Sequence, residues 1–377
     1  MIVGIPKEPS VLKGVEEKRV GLSPAGVREI VDSGAVVYVA SGAGAGAGFA
    51  DEEYRAAGAH VAYSNEEVIR RADVVVKVRP PDGAEWELFN DRATLMAFLH
   101  LAVAPREHIR RSLDKRITAL GLEIVQEPDG SLPILRSSSE IAGKMAVQLA
   151  GRLLETTSGG RGILLGGIPG IPPADVVILG GGTVGYYAAR SFLGVGASVY
   201  ILDKNPQRLL ELDELFQGTV VTALATKTNI EKFVAFADVL IAAVLVPGQR
   251  APVLVTKEMV QRMRPGSLII DFSIDQGGCV ETSMLMPSEE FLFTSFGVIH
   301  FCAPNVPAMV ARTSTHALTN ALLPYLKEIV AHGVQGALKR NVALRRGLYT
   351  FNGYLSATLP LPEFPQADLE KLVMEET

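Results

Sequence analysis

Cysteine is nearly missing from this chain. Cys279 and Cys302 are the only two in 377 residues, and neither belongs to a Cys-x-x-Cys pair. That argues against a disulfide framework and a structural zinc site, and it points to a reducing cytoplasm and to no metal. Also missing is any apolar run of the ~18 residues that a membrane helix needs. The opening MIVGIPKE (1–8) lacks the basic region and long apolar stretch of an export signal, so an unexported protein that does not engage membranes is expected. Basic charge is not in excess either. The formal net charge of −5 leaves no footprint for nucleic acid. No fixed-period repeat of the solenoid or propeller kind occurs. What is present is apolar: 48% of residues are hydrophobic and 20% charged, which is ordinary for a well-filled globular core, and the length suits two domains.

The first 130 or so residues alternate short β-branched runs with helical patterns. VVYV (36–39) and VVVKV (74–78) read as buried strands, and SPAGVREIV (23–31) as a helix with Ser23 as N-cap and Pro24 in its first turn. Such alternation means βαβ units and a mostly parallel sheet. The apolar run TLMAFLHLAV (94–103), with His100 inside it, reads as a further strand. A long amphipathic helix is expected over 138–155, starting at a serine cap, and then a loop dense in Gly and Pro over 159–173. From Val176 a second alternating region supplies four more strand candidates: VVIL (176–179), SVYIL (198–202), VLIAAV (239–244) and SLIID (267–271). Their spacing suits an open doubly wound sheet. After Asn305 the pattern turns helical, over 314–324 and 325–332, with no fresh strands. This tail is expected to pack back on the first domain. The expected organisation is α/β: two Rossmann-like doubly wound domains, the second (138–305) inserted into a discontinuous first (1–137 plus 306–377).

The sharpest motif is GGGTVG at 180–185. Gly180-x-Gly182-x-x-Gly185 follows a strand and, through Thr183 and Val184, opens a helix. Its glycines allow a tight turn, close approach of backbone to a pyrophosphate, and close helix–strand packing, while the helix N-terminus offers free N–H groups to the anion. The next strand ends at Asp203, 23 residues after Gly180, where an adenosine ribose diol would be held. Asp203 would repel a 2′-phosphate, favouring NAD over NADP, and the neighbouring Lys204 and Arg208 soften that preference. The richer run SGAGAGAG (41–48) has no acid ending a strand about 20 residues on, and reads as a flexible surface loop.

A nicotinamide enzyme also needs a substrate clamp and a proton carrier. Lys77 and Arg19 could hold a small carboxylate, Arg as a bidentate fork and Lys as a point charge. Each taken alone also fits a surface charge. Asp275 follows the 267–271 strand beside Gly277 and Gly278, where it could orient water, bond the cofactor or close an Asx-type turn. His100 fits either a satisfied core histidine or a catalytic one.

Through GIPKE (4–8), RVGLSPAG (19–26), VKV (76–78), FLHLA (98–102), SEIAG (139–143), GGRG (159–162), GGGTVG, VLVPG (244–248), IDQGG (274–278) and TSTHALTN (313–320), the chain resembles the alanine dehydrogenase branch of the alanine dehydrogenase/transhydrogenase family. The likeness covers nearly the whole chain. It implies NAD-dependent oxidative deamination of a small L-amino acid, alanine to pyruvate and ammonium above all, in a homo-oligomer that is commonly a hexamer in the family. By the same likeness His100 and Asp275 are catalytic, and Arg19 and Lys77 bind the substrate carboxylate and oxygen. Ser139, Gly180, Gly182, Thr183, Val184, Gly185, Asp203, Arg208, Val244, Leu245, Ile274, Asp275 and Asn305 fall at cofactor contacts. Some positions depart from the pattern: the longer loop before Arg19 (10–18, with Lys18 where an aromatic is frequent), Ala225 in place of a serine, the stretch MLMPSE from Met284, and Pro304. Two rivals follow. One is the same chemistry on another small amino or imino acid. The other is a catalytically silent, transhydrogenase-like NAD(H)-binding subunit.

Overall fold

The structure is a computed structural model that describes residues 1–8, 17–247, 249–285 and 291–376. Most of the loop before Arg19, the last glycine of VLVPG and most of the MLMPSE segment lie outside the described residues.

Two parallel-rich sheets form the frame. The first takes β1 (Ile2–Ile5), β2 (Val36–Ala40), β3 (His60–Ala62), β4 (Val74–Val76), β5 (Thr94–Ala97) and β6 (Thr118–Gly121) from the start of the chain. The second takes β7 (Asp175–Leu179), β8 (Ser198–Asp203), β9 (Val221–Leu224), β10 (Val239–Ala242), β11 (Leu268–Asp271), β12 (Leu292–Ser295) and β13 (Val298–Phe301). The chain then returns to the first sheet with β14 (Leu348–Phe351), β15 (Tyr354–Ser356) and β16 (Gln366–Ala367). The first sheet runs 16-15-14-6-5-4-1-2-3 and the second 12-13-11-10-7-8-9. Each contains the same six-strand parallel core, in the 3-2-1-4-5-6 order of a doubly wound fold. The order reverses between β1 and β4 in one sheet and between β7 and β10 in the other.

These central strands are continuous apolar runs because both of their faces are covered. Alternate residues serve opposite layers: Val176 and Ile178 join one core, Val177 and Leu179 the other. The same holds for Val74 and Val76 against Val75. At about 1.5–3 kcal/mol for each buried Val, Leu or Ile, the inner strands dominate the stability of both layers.

Several elements differ from the sequence reading. The tail carries three strands after all. β14 pairs antiparallel with β6, with a register shift between Leu348 and Thr350, and their short, irregular pattern hid them. The two tail helices, expected to part at Pro324, run on as one from Ala311 through the proline, and a second short helical segment follows Gly333 to Arg340. Burial of Leu318, Leu322, Tyr325, Leu326 and Ile329 on the first sheet's core carries it across the proline, and the backbone breaks instead at Gly333. The amphipathic helix starts at Pro133, five residues ahead of the serine taken as its cap, and ends at Leu153. The glycine-rich 41–48 segment is no flexible loop. It turns into a short 3-10 helix with Ala43 and Ala47 buried, and the Arg312 guanidinium donates to the Gly48 carbonyl at 2.6 Å and to that of Ala47. Finally, β5 stops at Ala97, so His100 lies three residues beyond the strand expected to carry it.

Candidate active site

The candidate residues gather beyond the carboxyl ends of strands in both sheets, where open α/β folds bind ligands. From the first sheet come Lys77 after β4 and His100 after β5. From the second come the glycine turn after β7, Val244 and Leu245 after β10, Asp275 after β11 and Asn305 after β13.

Neither Lys77 nor Arg19 is a surface charge: they are 0% and 1% exposed. Isolated cations do not survive such burial, so each must be paired. The Lys77 ammonium donates to both oxygens of Glu85 at 3.0 Å and stands 3.6 Å from Glu8. Burial pulls its pKa down, but the charges of Glu8 and Glu85 outweigh it and hold Lys77 above its ordinary value. Glu8 is pushed up by burial, only partly offset by Lys77 and by the Val78 N–H that donates to it at 2.6 Å. Arg19 is gripped by Glu17 through Nε–Oε1 and Nη2–Oε2, both 2.8 Å. The pairing outweighs burial on each side, lowering the Glu17 pKa and raising that of Arg19. The tail helix fixes this stretch: Thr315 Oγ1 accepts from the Val20 N–H and Thr319 Oγ1 from that of Ser23.

His100 adopts a left-handed backbone, φ 45°, which costs a side chain other than Gly or Asn some strain. Glu123, buried below it, accounts for the bend. One of its oxygens accepts the His100 N–H at 2.6 Å, the other that of Leu99, and Tyr349 donates its hydroxyl to it at 2.9 Å. The strand ladder loses those donors to a carboxylate, which the apolar run could not reveal. His100 Nδ1 lies 3.8 Å from Glu123 Oε1, too far for a hydrogen bond. Among the described residues this buried nitrogen has no hydrogen-bond partner. The ring borders a small cavity with Gln276 and Gln249 of the second sheet's loops.

Asp275 sits in the 3-10 turn Ile274–Gln276. Its carboxylate accepts the Asn305 N–H at 3.2 Å, and Asn305 Nδ2 donates to Glu17 at 3.0 Å. Arg19, Glu17, Asn305 and Asp275 thus form one hydrogen-bonded chain across the two sheets. The four glutamates Glu8, Glu17, Glu85 and Glu123 were not singled out as site residues in the sequence. Only the two-residue spacing of Glu17 from Arg19 was available to signal one of them.

At the dinucleotide turn two of the three motif glycines, Gly180 and Gly185, are obligatory. A Cβ on Gly185 would fall 1.9 Å from the Gly180 carbonyl oxygen, and one on Gly180 2.4 Å from that of Ala243. Gly182, by contrast, faces open space and is the N-cap of the Thr183–Gly194 helix, whose first turn has no side-chain cap. Uncapped N–H groups beside an open cradle suit a pyrophosphate. Asp203 accepts the Gly181 N–H at 2.7 Å, and Arg208 donates to the Gly181 carbonyl at 2.7 Å, so both brace the turn. Ser139 has a half-buried side chain, one helical turn before Gly143. Gly143 lets the Pro133–Leu153 helix approach this turn: a Cβ there would meet the Val184 carbonyl at 2.6 Å. Val244 exchanges hydrogen bonds with Ser273 Oγ, Ile274 is buried, and Leu245 is exposed. Ala225 donates its N–H to the Asp203 carbonyl, and the hydroxyl of Thr226 beside it caps the following helix. Among the described residues no group of three or more His, Cys, Asp and Glu is placed to hold a metal, and no helix is long and apolar enough to cross a membrane.

Comparison with known proteins decides the lineage. Residues 4–142 match the family description "Alanine dehydrogenase/PNT, N-terminal domain", and residues 146–358 match the corresponding C-terminal domain. The chain belongs to the alanine dehydrogenase/PNT family. An alanine dehydrogenase from Methanococcus maripaludis is 45% identical over 378 residues, spanning 100% of both chains. A solved L-alanine dehydrogenase, also 45% identical, superposes with a TM-score of 0.85 over 94% of this chain and 96% of its own. A transhydrogenase from Sinorhizobium meliloti shares the frame at a TM-score of 0.77 with 25% identity, covering 94% and 98%. The alanine dehydrogenase/PNT frame is therefore common to both branches, and the sequence lies nearer the dehydrogenase relatives cited.

Proposed function

We propose that this chain is an NAD-dependent dehydrogenase that oxidatively deaminates L-alanine to pyruvate and ammonium and catalyses the reverse amination. The observation that carries the reading is the hydrogen-bonded chain Arg19–Glu17–Asn305–Asp275, which runs from the first sheet to the second, together with the cavity that His100 shares with Gln276 beside Asp275. Identity of 45% along the full length of an alanine dehydrogenase supports it. NAD held at the uncapped N–H groups of the Gly180–Gly185 turn would supply the acceptor for a hydride from the substrate Cα. Arg19 binds the substrate carboxylate, and Lys77 polarises its oxygen. His100 removes a proton from the water adding to the imine and returns it in the amination direction, and Asp275 orients that water or the imidazole. Ser139, Val244, Leu245, Ile274 and Asn305 join the glycine turn, Asp203 and Arg208 as the cofactor's surroundings.

The division we adopt is a substrate unit of residues 1–137 and 306–377 and a nucleotide unit of 138–305. The reading includes a homo-oligomer. It is supported by exposed Leu164 and Val195, which line a broad cavity of about 890 Å³, and by exposed Ile168 and Ile171, which close the small hairpin that follows. The two buried cysteines, both free, support a cytoplasmic protein.

A panel of small L-amino acids with NAD, followed by NADH absorbance, tests the substrate. Alanine should head the panel in kcat/KM. No turnover of alanine beside good turnover of another acid would move the assignment to that acid, the reading favoured by the departures at Ala225 and Pro304. Replacing Asp203 by asparagine keeps an acceptor for the Gly181 N–H but removes the charge facing a 2′-phosphate. Relief of such like-charge repulsion is worth upwards of ~1.4 kcal/mol, or about tenfold. The ratio of kcat/KM for NADP to that for NAD should rise by at least that factor, and an unchanged ratio would remove Asp203 from cofactor selection.

A further inference from the structure

Glu17 neither carries the proton nor meets the dinucleotide turn, yet it ties Arg19 to the loops of the second sheet. It is 6% exposed, grips the Arg19 guanidinium through two 2.8 Å hydrogen bonds, accepts a third from the Arg19 backbone N–H at 3.0 Å and a fourth from Asn305. A guanidinium offers two forks: a side edge made by Nε and Nη2, and an end edge made by Nη1 and Nη2. Glu17 occupies the side edge. The end edge is the one it leaves for a second carboxylate.

We propose that Glu17 is a positioning residue that aims the end edge of Arg19 at the substrate carboxylate and, through Asn305 and Asp275, sets that fork in register with the nucleotide unit. Three features carry this. First, the bidentate pairing removes the rotation about Cδ–Nε that a singly bonded arginine keeps, so the second fork is pre-aimed and less ordering is left to substrate binding. Second, the Glu17 oxygen that pairs with Nη2 also accepts from Asn305, whose backbone N–H donates to Asp275. The position of the substrate fork is thereby tied to the loop after β11. Third, Glu17 stays ionised because Arg19 holds its pKa low, so the link persists throughout the neutral range. The proposal rests on the reading of Arg19 as the carboxylate clamp.

Its test is binding rather than turnover. Pyruvate is titrated into the full-length protein with NADH bound and ammonium absent, so that no reaction proceeds, and NADH affinity is measured separately by fluorescence. Glu17→Gln should weaken pyruvate at least tenfold while NADH affinity stays within about twofold. Glu17→Asp, which keeps the charge but shortens the reach, should fall between, and it serves if the glutamine variant does not fold. Combining Glu17→Gln with Asn305→Ala should weaken pyruvate by less than the product of the single effects, since both break one chain. Parental pyruvate affinity in both Glu17 variants, or equal losses for pyruvate and NADH, would overturn the proposal. If the parent binds pyruvate but does not turn over alanine, the deaminase reading fails and the Glu17 comparison still decides. If the parent binds no pyruvate, both fall.

Discussion

Asparagine in place of His100 should lower kcat by about 10²-fold or more in both directions, the usual worth of a positioned acid–base group. Asparagine is chosen because it tolerates the left-handed backbone at φ 45° and leaves the backbone N–H for Glu123. The fold should therefore survive, with a melting temperature near the parent's and NADH affinity unchanged. Pre-steady-state absorbance separates the steps. If His100 serves the addition of water to the imine, an initial burst of NADH can persist while steady turnover collapses. A variant retaining a third or more of parental kcat would show that His100 is not the proton carrier, and would favour the silent, transhydrogenase-like reading.

The second large effect is on stability. Lys77→Met removes the ammonium that faces the buried carboxylates of Glu8 and Glu85 while nearly conserving volume. Breaking a buried pair by deleting one partner costs about 3–5 kcal/mol, because the remaining charge is left in a poorly solvated site. The denaturant midpoint should drop accordingly. Glu85→Gln in the same chain should recover part of the loss. Removing Lys77 also takes away the charge that partly offsets burial at Glu8, whose pKa is already raised above 4.5. An acid whose folded pKa exceeds its unfolded value binds its proton on folding. Its contribution is fully present below the unfolded value and is lost as pH rises through the folded one. The variant's deficit should therefore shrink as pH is lowered toward 4.5. A midpoint equal to the parent's at neutral pH would mean that Lys77 is not the group compensating these carboxylates.

Much of this arrangement was legible in the sequence because it is written locally. The glycine turn, the acid ending the next strand, the Ser23 cap and the β-branched inner strands each depend on neighbours in sequence, and they led to two doubly wound units. What escaped depends on partners far along the chain. His100 leaves the ladder because of Glu123, 23 residues on, and Lys77 is neutralised by Glu8 and Glu85 from separate loops. β14 is defined by pairing with β6 more than 220 residues before it. The continuity of the Ala311–Arg340 helix through Pro324 is likewise decided by the surface it lies on. Arg19 and Lys77 read alone as possible surface charges, and only the family likeness raised them, because burial of a cation is invisible until its counter-ion is in place.

The return of the chain to the first sheet bears on how the molecule is made. The first sheet takes strands from both sides of the second in the chain, so it is completed only after the second has been made. Until β14 arrives, β6 is an open edge, and until the Ala311–Arg340 helix docks, Val20 and Ser23 lack their threonine partners. The second sheet, made from one uninterrupted stretch, can close meanwhile. A chain caught at that stage would carry a finished second sheet beside an unfinished first one, and the open edge of β6 is where it would be most exposed to pairing with the wrong neighbour.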